Sequence, residues 1–434
     1  LLPFAMACAT LVLLSAPTSG DEVVATPEAP AFDARPERTI EVSDRASLLR
    51  AIASAKPGTA ILLAPGIYEG GIYAEGLAGE LERPIILASL DASKPARIRG
   101  GGSAFHLVDP QNVVLRDLVL ENASANGLNI DDGGSFETPA RGVTLRNVVV
   151  RNEGVRGNRD GIKLSGLTRF RIDGCTVERW GDGGSGIDMV GCSVGLIVDS
   201  VFRHLDPEGA NGVQAKGGSR DITIRRSRFE RAGGRGVNLG GSTGLPYFRP
   251  RAAGYEAKDI VVEDSIFVGS GAPVAFVGVD GAIVRHNLMW RPRRWVIRIL
   301  QETQAEGFVP SRRGRFEKNI ICFRSDELRS IVNVGPHTAP ETFTFTENAW
   351  FAIDAPERTR ALVRGLPVEE RGARYGIDPK LADPESGDFE RTANDELGDA
   401  GPRRATSEAE DRGGVHAGER RDADQPSEPR DVKR

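Results

Sequence analysis

The residues whose types and spacing suit chemistry lie in short segments where a glycine or small residue precedes an alternating strand: NGLNI at 126, DGIKL at 160, SGIDM at 185, NGVQAK at 211, RGVNL at 235 and APVAF at 272. Alternation places Leu128, Ile162, Ile187, Val213 and Val237 on one face, which is core, and Asn129, Lys163, Asp188, Gln214 and Asn238 on the other. Lys216 follows Gln214 by two residues and shares its face. Directly after Asn238 comes the insertion GGSTGLPYFRPRAAGYEA, 240–257, with Tyr247, Phe248, Arg249, Arg251 and Tyr255. A long loop on a rigid scaffold is where binding groups tend to sit, so it is expected to wall a groove. Such a set suits removal of a weakly acidic proton beside a carboxylate, followed by loss of an oxygen leaving group. Lys216 would be the base and Arg249 or Tyr247 the acid. Gln214 and Asn238 would contact the carboxylate, with Lys163, Asp188 and Arg251 completing the binding surface.

These groups can meet only if the elements carrying them stack. A second repeat supplies that arrangement: VVLRDLVLEN at 113, VTLRNVVVRN at 143, FRIDGCTVER at 170, IVDSVFRH at 197, ITIRRSRFER at 222, IVVEDSIFVG at 260, IVRHNLMWR at 283, FEKNIICFR at 316 and FTFTENAWF at 343. The equivalent positions are read as Asp117, Asn147, Gly174, Asp199, Arg226, Asp264, Asn287, Asn319 and Asn348, separated by 30, 27, 25, 27, 38, 23, 32 and 29 residues. Two or three short strands per period of about 27, with Gly turns, match one coil of a parallel β-helix. Leucine-rich and propeller arrays fit less well, because the leucine-rich signature is missing and a propeller blade is longer. The 52 glycines, 6% aromatics and 3 methionines suit tight turns rather than a helical bundle. Ser43 or Asp44 can cap a helix carrying Leu48, Leu49, Ile52 and Ala55, stopped by Pro57 and Gly58, which would plug the N-terminal end. The expected fold is all-β, a single-stranded parallel β-helix with an N-terminal capping helix.

The termini differ from this body. Residues 1–20 read as an export signal whose start is missing, 21–40 as a linker, 41–392 as the solenoid and 393–434 as a disordered charged tail. The expected location is secreted, periplasmic or extracellular, with no membrane span once the signal is removed, and the chain is expected to be a monomer. Cys175, Cys192 and Cys322 lack metal or redox spacing and read as small core residues, with one disulfide open to them. Net charge is −5, yet Ser200 to Ile260 carries eleven Lys/Arg against six Asp/Glu, and Arg285 to Lys318 nine against three. That distribution suits a polyanion. Without a nucleic-acid reader motif or aromatic-basic interleaving, the polyanion is expected to be an acidic polysaccharide, not nucleic acid. Trp180 beside Asp182 could line a subsite, and His204 could enter the groove.

The helix followed by AKPGTAILLAPGIYEGG (55–71), the coils, and then DPKLADPESGDF (378–389) resembles the secreted right-handed β-helix proteins of the pectate-lyase-like superfamily over roughly 40–390. Right-handedness is what the resemblance implies. The groove is similar to polysaccharide lyases of the chondroitinase B and alginate lyase kind, which use a Lys base and an Arg. Lys216 is the position that matches their lysine, and Arg249 is a looser match. The resemblance implies cleavage of a uronic-acid glycan by β-elimination. Calcium occurs in some of those lyases. Where they carry acids shortly before the lysine this chain has Gly209 and Asn211, with Asp206 and Glu208 nearby; Asp160, Asp182 and Asp188 are a different candidate oxygen set. Two other readings stay open: a glycoside hydrolase on the same fold, for which Asp160 and Asp188 are the groove carboxylates, and a non-catalytic glycan-binding or adhesive solenoid. YGIDPK at 375 reads as C-terminal capping sequence, and DDGG at 131 as a turn.

Overall fold

The computed structural model describes residues 27–152, 156–251, 253–392 and 396–403. The expected signal at 1–20 and most of the charged tail lie outside the described residues. The chain winds through three parallel sheets of 12, 10 and 12 strands, each coil of the central body adding one strand to each sheet. It is a parallel β-helix, as the period demands. Among the described residues, no helix is long and apolar enough to cross a membrane.

Burial follows the alternation. One inward column of the first sheet runs Val113, Val143, Phe170, Gly195, Ile222, Ile260, Ala282 and Gly314 in register. Gly195 is needed there because a Cβ would lie 2.1 Å from the Phe170 ring. In the third sheet Phe202, Phe229 and Phe267 stack at 4.9 and 4.7 Å between centroids, which adds favourable aromatic contact to apolar burial.

At the corner after the first sheet, one residue per coil takes a positive φ. These residues are Asp117, Asn147, Gly174, Asp199, Arg226 and Asp264, and then His286, Lys318 and Glu347. The sequence alignment is therefore one residue out in the last three coils. Asn287, Asn319 and Asn348 point inward and are fully buried. They continue a ladder in which each residue's backbone N–H is accepted by the next coil's side-chain oxygen: Ser200 to Ser227, Ser227 to Ser265, Ser265 to Asn287, Asn287 to Asn319 and Asn319 to Asn348. Asparagine is suited both to left-handed corners and to stacked amide ladders, so residue type alone pointed to the wrong position. Partly buried Glu370 ends the ladder, accepting from Asn348 Nδ2 at 2.7 Å and from Trp350 Nε1 at 2.8 Å.

The N-terminal plug is the helix Arg45–Ala53, capped by Asp44 in a reciprocal box with Ser47. It buries Leu48, Ala51 and Ile52. Strand pairing begins earlier than the linker boundary suggested, at Arg38–Val42, and Phe32 and Ala34 pack on the outer face of the first sheet. At the other end Phe389, Leu397 and Ala400 cover Leu288, Trp290 and Ile320, and Arg403 pairs with Asp264 at 2.7 Å. Residues 396–403, assigned from sequence to a solvated tail, thus dock on the solenoid. The isolated apolar residues Leu397 and Ala400 are enough to anchor them. Cys175, Cys192 and Cys322 are free and buried.

Candidate functional site

The ten-stranded sheet carries the groove. Its register aligns one outward column: Tyr73, His106, Asn129, Lys163, Asp188, Gln214, Asn238, Ala275, Arg298 and Asn333. Neighbours in it stand about 4.8 Å apart. The four residues aligned by sequence, Lys163 to Asn238, are therefore consecutive rungs.

Strands Ile162–Ser165, Ser185–Val190 and Asn211–Lys216 hold a compact charge network. Asp188 is 1% exposed and lies between two ammonium groups, pairing with Lys163 and, at 3.2 Å, with Lys216. Lys216 Nζ also donates to Gln214 Oε1 at 3.4 Å, and Asn211 Nδ2 donates to the same oxygen at 3.5 Å. Asp160 lies 3.8 Å from Lys163 and accepts from the Ser185 N–H at 2.8 Å. Burial, with the Asp188 carboxylate nearby, pushes the Asp160 carboxyl up to about 6. Burial opposes the charge of Lys163, yet Asp188 and Asp160 together hold it above the ordinary lysine range.

A pH dependence follows. Asp160 holds its proton more tightly in the folded chain, about 6 against an ordinary 3.8, so its stabilising contribution is full below pH 3.8 and lost as pH rises through 6. Asp160→Asn removes this titration. Relative to the parent chain, it should gain about 1–3 kcal/mol between acidic and neutral pH, measured by urea unfolding at both. An unchanged difference would show that folding does not shift the Asp160 titration.

Several sequence-assigned residues occupy other roles. Asn238 is 0% exposed and accepts from Arg235 Nη1 at 3.1 Å. It positions that guanidinium and cannot touch a ligand. Asp188 is likewise buried beneath the lysines and not a direct contact. Arg249 crosses the turns at Gly191 and Gly166, where an added Cβ would meet its side chain at 2.4 and 2.7 Å. It ends in a two-pronged pair with Asp132, Nη2 to Oδ1 being 2.9 Å. Its guanidinium lies 4.2 Å from the Phe136 ring centroid, with that of Arg251 at 4.3 Å. Both arginines clasp two loops together, so Arg249 is not free to serve as the acid. Tyr247 is 63% exposed in the turn Leu245–Tyr247.

The insertion meets the polar cavity of this face at Ser242. Buried Glu256 fastens it by accepting the N–H groups of Gly217 at 2.8 Å and Thr243 at 2.9 Å, together with the Thr243 and Thr303 hydroxyls. Trp180 is buried against His204, ring centroids 4.6 Å apart, and His204 Nε2 meets the Trp180 carbonyl at 2.7 Å; neither lines the groove. Asp160, Asp182 and Asp188 do not suit calcium. Two of them are paired with Lys163, Asp182 accepts from the Gly157 N–H, and no three acidic, His or Cys side chains converge among the described residues.

The sequence reading missed the adjoining part of the groove. A polar cavity of about 590 Å³ is lined by Gln214, Asn211, Arg235, Trp295, Arg298 and Glu302, among others. Arg235 pairs with Glu302 at 2.7 Å, and Arg294 with Glu208. Arg298 donates to Asn333 Oδ1 at 3.1 Å and lies 4.4 Å from the Trp295 ring centroid. The signal was present: WVIRIL at 295 continues the alternation from APVAF, and the basic excess after Arg285 marks the same place.

A family model described as right handed beta helix region matches residues 95–252 and 138–289. No curated protein sequence matches. Among solved structures, the chain is similar to pectate lyase Pel9A, with 14% identity, 86% of this chain and 94% of that one covered, and a TM-score of 0.52. It is also similar to an alginate lyase from Paenibacillus sp. str. FPU-7, with 17% identity, coverage of 69% and 96%, and a TM-score of 0.47. A third is the GH136 lacto-N-biosidase from Eubacterium ramulus, with 14% identity, coverage of 79% and 66%, and a TM-score of 0.41. At these identities the likeness is one of fold, a right-handed parallel β-helix.

Proposed function

We propose that this right-handed parallel β-helix binds an acidic polysaccharide along its ten-stranded face and cleaves it by β-elimination, with Lys216 as the base. The observation that carries the reading is the polar groove lined by Gln214, Asn211 and Arg235, with Lys216 beside it donating to the Gln214 side-chain oxygen. In its unprotonated form Lys216 takes the C5 proton of a uronate. The C5 electron pair forms the C4–C5 double bond as the C4–O4 bond breaks. Arg235, held by Asn238 and Glu302, replaces Arg249 as the cation facing the sugar carboxylate and offsets the charge that develops there. The exposed Tyr247 is the insertion's candidate proton donor to the departing O4.

Hydrolysis is less well supported by the geometry, because Asp160 and Asp188 are buried and bridged by Lys163. The test is incubation with pectate, alginate and uronate-containing glycosaminoglycans, followed by ultraviolet absorbance of unsaturated products. Absorbance rising with at least one of them is expected. New reducing ends without unsaturation would replace elimination by hydrolysis, and retention on the polymer with no products would make the protein a binding module.

A further inference from the structure

Among the described residues, Arg298 is the cation lining the groove without an ionic partner. Arg235 pairs with Glu302, Arg294 with Glu208, and Arg293 lies 3.5 Å from Asp206. Lys163 and Lys216 share Asp188. Among the described residues Arg298 has no carboxylate within ion-pair distance; its neighbours are the Asn333 amide oxygen and the Trp295 ring. Burial, and then the charge of Arg235, lower its pKa to about 10, so it remains charged at neutral pH. A partly buried guanidinium kept beside other arginines is costly unless an anion joins it. The cavity leading to it is the one that contains Gln214.

We infer that Arg298, stacked on Trp295, forms a distal subsite for an oxyanion substituent, carboxylate or sulfate, on the glycan held in the groove. This rests on the reading of the groove as an acidic-glycan site. Register sets the distance: Gln214, Asn238, Ala275 and Arg298 are successive rungs, which puts Arg298 about 14 Å from Gln214 along the solenoid. A pyranose unit extends a glycan by about one rung spacing, so the subsite meets a sugar about three units from the one beside Lys216. Ligands shorter than about four units cannot span both. The planar guanidinium suits two-pronged recognition of the oxyanion, with its orientation set by Trp295 and Asn333.

The experiment is calorimetric titration of the full chain with galacturonate and alginate oligomers, as dimers and hexamers, and with a sulfated galactan hexamer. The wild-type chain should bind an anionic hexamer at least tenfold more tightly than the corresponding dimer, with a steeper loss of affinity on adding salt. Arg298→Gln should weaken hexamer binding at least tenfold and leave dimer binding unchanged, whereas Arg298→Lys should recover part of the loss. Whether the uronate or the sulfated hexamer shows this pattern identifies the oxyanion. Equal hexamer affinity in Arg298→Gln and wild type, or equal loss for dimer and hexamer, overturns the subsite while leaving the acidic-glycan reading intact. Failure of the wild type to bind any anionic oligomer overturns both. The salt dependence of wild-type binding provides the comparison independently if a variant does not fold.

Discussion

Lys216→Ala should lower kcat on the cleaved glycan by about 10²–10⁴-fold, the range that a positioned proton acceptor supplies. Its fold should persist, because Asp188 keeps Lys163 as a partner and the Lys216 side chain is partly in solvent. Lys216→Arg separates two roles. A guanidinium retains the positive charge but does not give up its proton at neutral pH, so a base is lost while a carboxylate clamp survives. Turnover within tenfold of wild type in Lys216→Arg would therefore reassign Lys216 to holding substrate. Near-normal kcat in Lys216→Ala would remove it from the chemistry altogether. Unfolding curves for both variants show whether either loss is merely structural.

Asp188→Ala should be the most damaging single change to stability in the groove, costing about 3–5 kcal/mol, as expected when one partner of a buried ion pair is removed. Asp188 separates the ammonium groups of Lys163 and Lys216; without it the two cations repel beneath the groove floor. Stability in a solenoid depends on neighbouring coils, so a fault between strands Ile162–Ser165 and Asn211–Lys216 weakens the coupling of its two halves. Urea unfolding measures the effect. The double variant Lys163→Met with Asp188→Leu should recover part of the loss, because an apolar pair avoids the desolvation cost that an unpaired charge bears. A double variant no more stable than Asp188→Ala would mean that Asp188 acts through Lys216 alone.

Residue type and position agree along the groove strands and diverge at the corners and in the insertion. Alternation aligned Lys163, Asp188, Gln214 and Asn238 on consecutive rungs, and the register has them there. The same logic misplaced Asn287, Asn319 and Asn348 by one residue, because the left-handed corners belong to His286, Lys318 and Glu347. An amide that caps its own turn and one that feeds the next coil look alike in a linear string. Arg249 shows the limit for loops. Its place in a basic, aromatic insertion suggested a groove residue, but its partner is Asp132, 117 positions earlier, and nothing local announces that pairing. Arg298 was legible in principle, since its strand repeats the groove pattern, but its importance depends on which neighbouring arginines already have carboxylates.

The sequence by itself determined the coil length, the inward and outward faces and the end-capping helix, because each comes from short-range rules of strand alternation, glycine turns and helix caps. Only the tertiary structure decided which outward side chains are buried, which cations are neutralised and which remain available to a ligand. Those outcomes depend on distances between residues brought together by stacking, and Coulomb attraction and desolvation act through space, not along the chain.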